Sequence, residues 1–493
     1  MDALYDVVVT INTYLSNYVL IILLIGTGLI FTIRTRGVQF RCFGEGMRRV
    51  FGGFSLRGGK HKSGISSFQA LATAVAAQVG TGNIVGACGA ILIGGPGAIF
   101  WMWIIALLGM ATNYGEAVMA QKTRQVDEDG SVHGGPVYYI RTAFTGKGGK
   151  FLAGFFAVAI ILALGFMGCM VQSNSIASTM ETAFSIPTWV MGLFVIACAG
   201  FVFIGGLQRL AAVTEKVVPI MALLYIVGGL IVLIVNWQNV GPAFALIFQC
   251  AFNPAAEVGG TTFGLIAALS QGAKRGLFSN EAGMGSTPHA HAMANVKDPH
   301  DQGVVAMIGV FIDTIVVVSI TALVVISVMY VGDGVMAQGY QAAIDSGVNK
   351  TNMAQIAFGS AFGEFGGNAF VAICLLMFAF STILSWNLFA RLNVEYLFGK
   401  KAVLAFNIIA LAFIFCGSLL SNDLVWELAD MFNQLMVLPN AIALIALSGV
   451  VASTAKLHKG KRHDDAYELA DAQEAAEAAA GITDEETREM AGR

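Results

Sequence analysis

Residues 76–109 read AAQVGTGNIVGACGAILIGGPGAIFWMWIIALLG. The stretch is apolar enough to cross a bilayer, yet Gly80, Gly82, Gly86 and Gly89 interrupt its first half beside Gln78, Thr81 and Asn83. Each glycine costs a helix about 1 kcal/mol relative to alanine, so the run predicts a helix that is broken within the membrane. Irregular backbone is tolerated there only where protein or a water-filled cavity surrounds it. Its freed N–H and C=O groups then become ligand-binding groups, as in the discontinuous helices of many secondary transporters.

The rest of the chain agrees with a membrane setting. Of 493 residues, 56% are hydrophobic and 12% charged, against about 25% charged in soluble proteins; mean hydropathy is +0.72. The net charge of −3 says little about partners. Seven cysteines sit mostly in apolar segments without metal or disulfide spacing. The first apolar segment ends in a basic loop and has no small-residue cleavage site, so it reads as a retained span. With about 20 apolar residues needed per crossing, eleven spans are expected, near 14–34, 66–92, 96–121, 152–183, 188–206, 213–236, 258–286, 303–331, 364–390, 402–420 and 425–452. The fold class expected is therefore all-α.

Arg34, Arg36, Arg41, Arg48, Arg49, Arg57, Lys60 and Lys62 crowd the loop after the first span. Positive loops face the cytoplasm, which predicts an external N-terminus and a cytoplasmic C-terminus in the inner (plasma) membrane. Residues 241–257 suit a short amphipathic helix on the outer side and residues 332–363 a polar cap; the alternative is that both are simple linkers. Residues 1–455 read as one transmembrane domain and 456–493 as a charged, alanine-rich, mobile tail. With the first span set aside, ten remain. Two groups of five place the second upside down relative to the first, an inverted repeat. Each group opens on a glycine-interrupted span, the second being SQGAKRGLFSNEAGMG at Ser270–Gly285, where the helix unwinds at Ser270–Gly272 or at Phe278–Gly283.

Three motifs carry a family resemblance. GGPGAIFWMWIIALLG at Gly94–Gly109 closely resembles the signature of the sodium:alanine (alanine or glycine:cation) symporters. GTGNIVG at Gly80–Gly86 and GLFSNEAGMGS at Gly276–Ser286 are similar to further motifs of that family. The resemblance implies a LeuT-like inverted-repeat fold with two discontinuous helices, and symport of a small neutral amino acid with sodium or, less often, protons.

An amino-acid carboxylate calls for helix N-terminal amides, which nominates Thr81, Gly82 and Asn83; the alternative is a small-residue packing face. For the ammonium, Gln172 and Gln271 are candidates, or else interhelical glue. In FAFSTILSW (Phe378–Trp386) the Phe378 carbonyl and the Ser381 and Thr382 hydroxyls share a helix face, a set of oxygens suited to sodium. The alternative is hydroxyls bonded back to their own turn. The resemblance adds the Ala76 and Val79 carbonyls to this sodium set. Thr382 and Trp386 also fall to the substrate site, Trp386 as a wall that keeps it small or as plain packing bulk.

Unpaired charge within a bilayer is expensive, so Asp313 is expected to pair with Lys274 or Arg275 rather than carry a proton. Glu116 and Glu281 are expected near the cytoplasmic side, solvated or paired. His289, His291 and His300 have no acidic or cysteine ligands close in sequence beyond Asp298 and Asp301, so metal binding by the cluster is an alternative but not the expected reading.

The expected function is import of alanine or glycine with sodium by alternating access. The alternatives are a proton-coupled carrier, one for a larger neutral amino acid such as glutamine, and, remotely, an ion channel. Sodium serves as coupling ion and no organic cofactor is expected. The partners are the amino acid and the lipid bilayer, with no nucleic acid and no obligate protein partner. No nucleophile–base pair or GxxxxGK[ST] motif points to an enzyme or an ATP-driven pump.

Overall fold

The structure, a computed structural model, describes residues 2–52, 64–128, 130–253, 255–258, 261–345, 347–420 and 422–457. The tail expected from residue 456 lies almost wholly outside the described residues, as do Arg57, Lys60 and Lys62 of the basic loop.

Helix α1 (Tyr5–Arg34) precedes the amphipathic α2 (Phe43–Gly52). The interrupted stretch forms α3 (Ser67–Gln78) and α4 (Gly82–Gly94), bent by 47° across the break. Then come α5 (Gly97–Thr123), α6 (Gly146–Phe184), α7 (Thr188–Ile204), α8 (Gly206–Val235) and α9 (Trp237–Phe252). The second interrupted segment forms α10 (Leu265–Asn280) and the short α11 (Pro288–Ala292). The chain continues through α12 (Pro299–Met329), α13 (Met353–Phe398), α14 (Lys400–Leu419) and α15 (Asp423–Lys456). Among the described residues eight helices are long and apolar enough to cross a membrane, or nine if the bent pair α3–α4 counts as one.

Local chemistry explains the ends. Ser66 and Gln69 form a reciprocal capping box at the start of α3. Asp298 caps α12, which opens on Pro299. Gly363 turns α13 sharply with φ of +73°, a conformation open mainly to glycine. The expected amphipathic helix in residues 241–257 is found as α9, followed by a strand at Ala255–Val258 paired with Thr261–Gly264.

Burial places the broken helices at the centre. Every residue from 69 to 91 and from 272 to 294 is buried, so their irregular backbone is enclosed by protein, as a membrane demands. Helices α5, α10 and α12 pack together on one side, α6, α13 and α14 on the other, and α8 touches both α3 and α13. Peripheral helices turn large apolar side chains outward, including Ile204, Ile234 and Leu404, which suits contact with lipid. Wide π-helical turns occupy Gly82–Gly86 at the head of α4 and Phe311–Val318 within α12. Such turns concentrate at functional sites, and these two touch each other.

Candidate functional site

The helix α13 comes against the end of α3 at Thr382. Its hydroxyl donates to the Ala76 carbonyl at 2.8 Å, with the Phe378 carbonyl at 3.1 Å and the Val79 carbonyl at 3.5 Å. Four oxygens, from both sides of the gap between two helices, thus gather at one buried point. Ser381 turns its hydroxyl back to the Phe378 carbonyl at 2.9 Å, beside the Met221 sulfur at 3.5 Å. The close approach depends on Gly80: a Cβ there would lie 2.5 Å from Thr382 Oγ1 and 3.1 Å from Gln172 Oε1.

At the break itself, Val79 leaves helical geometry with φ −79° and ψ 86°. The Gly80 amide donates to Asn83 Oδ1 at 2.9 Å, and the Thr81 amide to Gln172 Oε1 at 3.1 Å. Side-chain oxygens therefore hold the amides freed by the interruption. The Thr81 hydroxyl and the Gln172 amide nitrogen are buried without a protein hydrogen-bond partner. Buried polar atoms are normally paired, so these two mark a place suited to a polar ligand.

Asp313 does not pair with Lys274 or Arg275, which corrects the sequence expectation. Its Oδ1 accepts from Asn83 Nδ2 at 2.5 Å, and its Oδ2 from Ser279 at 2.8 Å and Thr314 at 2.7 Å. The carboxyl group thereby joins α4, α10 and α12. The two cations lie four and five residues before Ser279, about 6–8 Å back along α10. There they meet α15: Lys274 Nζ is 2.8 Å from Asp430 Oδ2 and Arg275 3.1 Å from Asp430 Oδ1.

The second interruption lies at the later of the two places the sequence left open. Helix α10 runs unbroken through Ser270–Gly272 and stops at Asn280. Glu281 follows in the left-handed region (φ +57°), with Gly283 and Gly285 also at positive φ. Two carboxylates organise this turn, and both are fully buried. Glu116 accepts from the Gly283 and Gly285 amides at 3.0 Å each and from Asn440 Nδ2 at 2.7 Å. Glu281 accepts from Ser286 and from the indole N–H of Trp386. The Trp386 ring meets Phe278 edge-on at 5.8 Å, and Phe278 in turn lies 5.0 Å from Trp426. Arg275 sits over that Trp426 ring at 4.7 Å.

The structure thus brings Ala76, Val79, Phe378 and Thr382 together, and Thr81 with Gln172. It draws Gly82 against Phe278, whose ring would be 3.1 Å from a Cβ at that glycine. Gln271 stands apart. It lies eight residues before Ser279, about 12 Å along the helix, and lines a cavity of about 340 Å³ with Asn12, Ser16, Asn17, Lys274 and Glu427. Sequence reasoning missed Ser279, Thr314, Asn440 and Asp430. The only signal for them was that each buried charge elsewhere needs a partner.

The sequence pattern described as the sodium:alanine symporter family matches residues 1–472. The chain belongs to the sodium:alanine symporter family. This member is similar to "Sodium/alanine symporter AgcS" of Methanococcus maripaludis, 38% identical over 465 residues that cover 93% of this chain and 98% of that protein. A "Putative sodium/proton-dependent alanine carrier protein YrbD" of Bacillus subtilis is 39% identical over 451 residues, 90% of each chain. A "Probable sodium/glutamine symporter GlnT" of the same organism is 37% identical over 446 residues, 90% of this chain and 88% of that one. Among solved structures, MhsT in complex with L-phenylalanine superposes with a TM-score of 0.54 at 15% identity, covering 81% of this chain and 99% of that one. That likeness concerns the fold alone. The family member is an integral membrane transporter of the symporter class and not an enzyme.

Proposed function

We propose that this symporter imports alanine or glycine with sodium by alternating access. The observation that carries the reading is the oxygen cluster formed by Thr382 with the Ala76, Val79 and Phe378 carbonyls. A small hard cation prefers such neutral and carbonyl oxygens. Bound there, it ties α13 to the broken α3–α4 pair and so favours one arrangement of the two. The amino-acid carboxylate takes the Thr81 hydroxyl and the Gln172 NH₂, both buried without a protein hydrogen-bond partner. Gln172 thus serves the carboxylate rather than the ammonium, because its oxygen is spent on Thr81. The ammonium faces the carbonyl end of α10, the negative end of that helix dipole. Phe278 packs against Gly82 and Trp386 packs on Phe278, aromatic bulk beside the break that favours alanine or glycine over glutamine. The linkage of ion and substrate through one break makes their affinities reciprocally dependent.

Thr382→Val tests this. It keeps the β-branched shape and removes one oxygen from a site with few. Losing a contact of this kind to a charge costs about 1.5–3 kcal/mol, so sodium affinity should fall roughly ten- to hundredfold. Substrate binding at saturating sodium should change far less, and Thr382→Ser should be milder. Sodium titration of substrate binding to purified protein decides; an unchanged titration in the valine variant removes Thr382 from the ion site.

A second reading is proton coupling, favoured by Asp313, a buried carboxyl group that, among the described residues, is hydrogen-bonded by an amide and two hydroxyls and by no cation. Asp313→Asn keeps the shape of the group. If a proton rides on it, uptake driven by a pH gradient alone disappears in folded protein. If sodium alone is coupled, the pH dependence of the remaining uptake in proteoliposomes stays as it was.

The same reading sets the arrangement in the membrane. Counting α3–α4, α7 and α10–α11 each as one crossing beside the eight long helices gives eleven, one extra helix before a five-plus-five inverted repeat. The basic loop before α3 and the tail from residue 456 then lie in the cytoplasm, and the N-terminus outside.

A further inference from the structure

Away from the broken helices, three side chains of metal-ligating type meet where α2 crosses the start of α12. Cys42 stands at the entry to α2, Glu45 in its first turn, and His300 in the first turn of α12. Their ligand atoms all lie within 4.8 Å of one another, with Cys42 and His300 buried and Glu45 half-buried. His300 Nε2 is 3.4 Å from Glu45 Oε2. That is close to the separation of two ligands on a tetrahedral zinc with bonds of about 2.0–2.1 Å. We propose that Cys42, Glu45 and His300 form a zinc site, with water as the fourth ligand, that fastens α2 to α12.

The surroundings fit a metal centre. Thiolate, imidazole and carboxylate together select zinc among the common divalent ions. The other nitrogen of His300, Nδ1, lies 2.8 Å from the Tyr114 hydroxyl. With Nδ1–H donating to that oxygen, Nε2 carries its lone pair toward Glu45 and Cys42. An outer partner of this kind fixes tautomer and ring direction in metal sites. The other carboxylate oxygen, Glu45 Oε1, is held by Arg49 at 3.0 Å, and Arg49 is itself anchored to Asp301 at 2.7 Å. Oε2 is thereby aimed at His300. The backbone is placed as firmly. Gly46 packs so tightly on α12 that a Cβ would lie 2.7 Å from both the Val304 carbonyl and Ile308. On binding, the Cys42 thiol releases its proton to bulk water as the sulfur–zinc bond forms. Ligand closure needs the sulfur to move in by no more than about an ångström, given typical zinc–sulfur bonds of about 2.3 Å.

The test uses the full-length protein purified in detergent, with zinc alone as the probe. Zinc binding is measured by competition with a chelating dye, and cobalt(II) is substituted to seek a thiolate-to-cobalt charge-transfer band. The expected result is one tight equivalent and a clear band. Cys42→Ser should abolish the band and weaken zinc at least about hundredfold, His300→Gln should do likewise, and Tyr114→Phe should weaken it about tenfold through the lost hydrogen bond to His300 Nδ1. Cys42→Ser is nearly isosteric, and its melting temperature without metal, matching the parent, shows that it is folded. Failure of the parent protein to retain zinc at micromolar free metal overturns the proposal, leaving a hydrogen-bonded relay from Tyr114 to Arg49. Undiminished zinc binding in Cys42→Ser overturns it as well, since the metal then sits on other cysteines such as the exposed Cys416.

Discussion

Gly80→Ala should abolish sodium-driven uptake in a protein that still folds. Gly80 is not among the glycines held at positive φ, so alanine brings no backbone strain, and it favours helix by about 1 kcal/mol. The damage comes from one carbon. The new Cβ would stand 2.5 Å from Thr382 Oγ1 and 3.1 Å from Gln172 Oε1, separations that force both groups aside. Thr382 then leaves the Ala76 carbonyl, and Gln172 leaves the Thr81 amide. With each contact to a charged ligand worth about 1.5–3 kcal/mol, the combined loss is roughly hundredfold or more in affinity. Uptake into proteoliposomes, beside a thermal melt to certify folding, measures it. Near-normal uptake by the alanine variant would place ion and substrate elsewhere in the molecule.

Asp430→Asn should be the most destabilising single change on α15. Asp430, Arg275 and Lys274 are all buried, with exposures of 2%, 4% and 8%, and Asp430 is the shared anion. Among the described residues, its removal leaves the two cations with Glu427 as the one remaining carboxylate in ion-pair reach, 3.5 Å from Lys274. Breaking a buried pair on one side costs about 3–5 kcal/mol, whereas replacing both partners by apolar groups can be close to neutral. The melting temperature should therefore fall sharply for Asp430→Asn and recover in part for Asp430→Leu combined with Arg275→Met. A double variant no better than the single one would show that the charges do not act as a pair.

What the sequence made legible depended on distance along the chain. The break at Gly80–Asn83 is written locally, as glycines within an apolar run, and it appears where that run put it. The face shared by Phe378, Ser381 and Thr382 follows from helical spacing. Which hydroxyl crosses to α3 does not, because that depends on how another helix is rotated; Thr382 crosses and Ser381 folds back on its own turn. The partners of Lys274 and Arg275 were misjudged for the same reason. Asp313 is nearer in sequence, but Asp430 is nearer in space, and nothing periodic links α10 to α15. The second break was narrowed to two places and no further. Gly283 and Gly285 advertise it, whereas the left-handed Glu281 beside them is an uncommon conformation for a side-chain-bearing residue.

The wide turn at Phe311–Val318 also bears on how α12 is read. A π turn accommodates one residue more than an α turn, so the helix resumes about 100° out of phase, the angle of one residue at 3.6 per turn. Before the turn His300 reaches Tyr114, and after it Thr321 reaches Tyr225. Any substitution scan across α12 therefore has two registers, and a periodic pattern fitted to the whole helix averages them away.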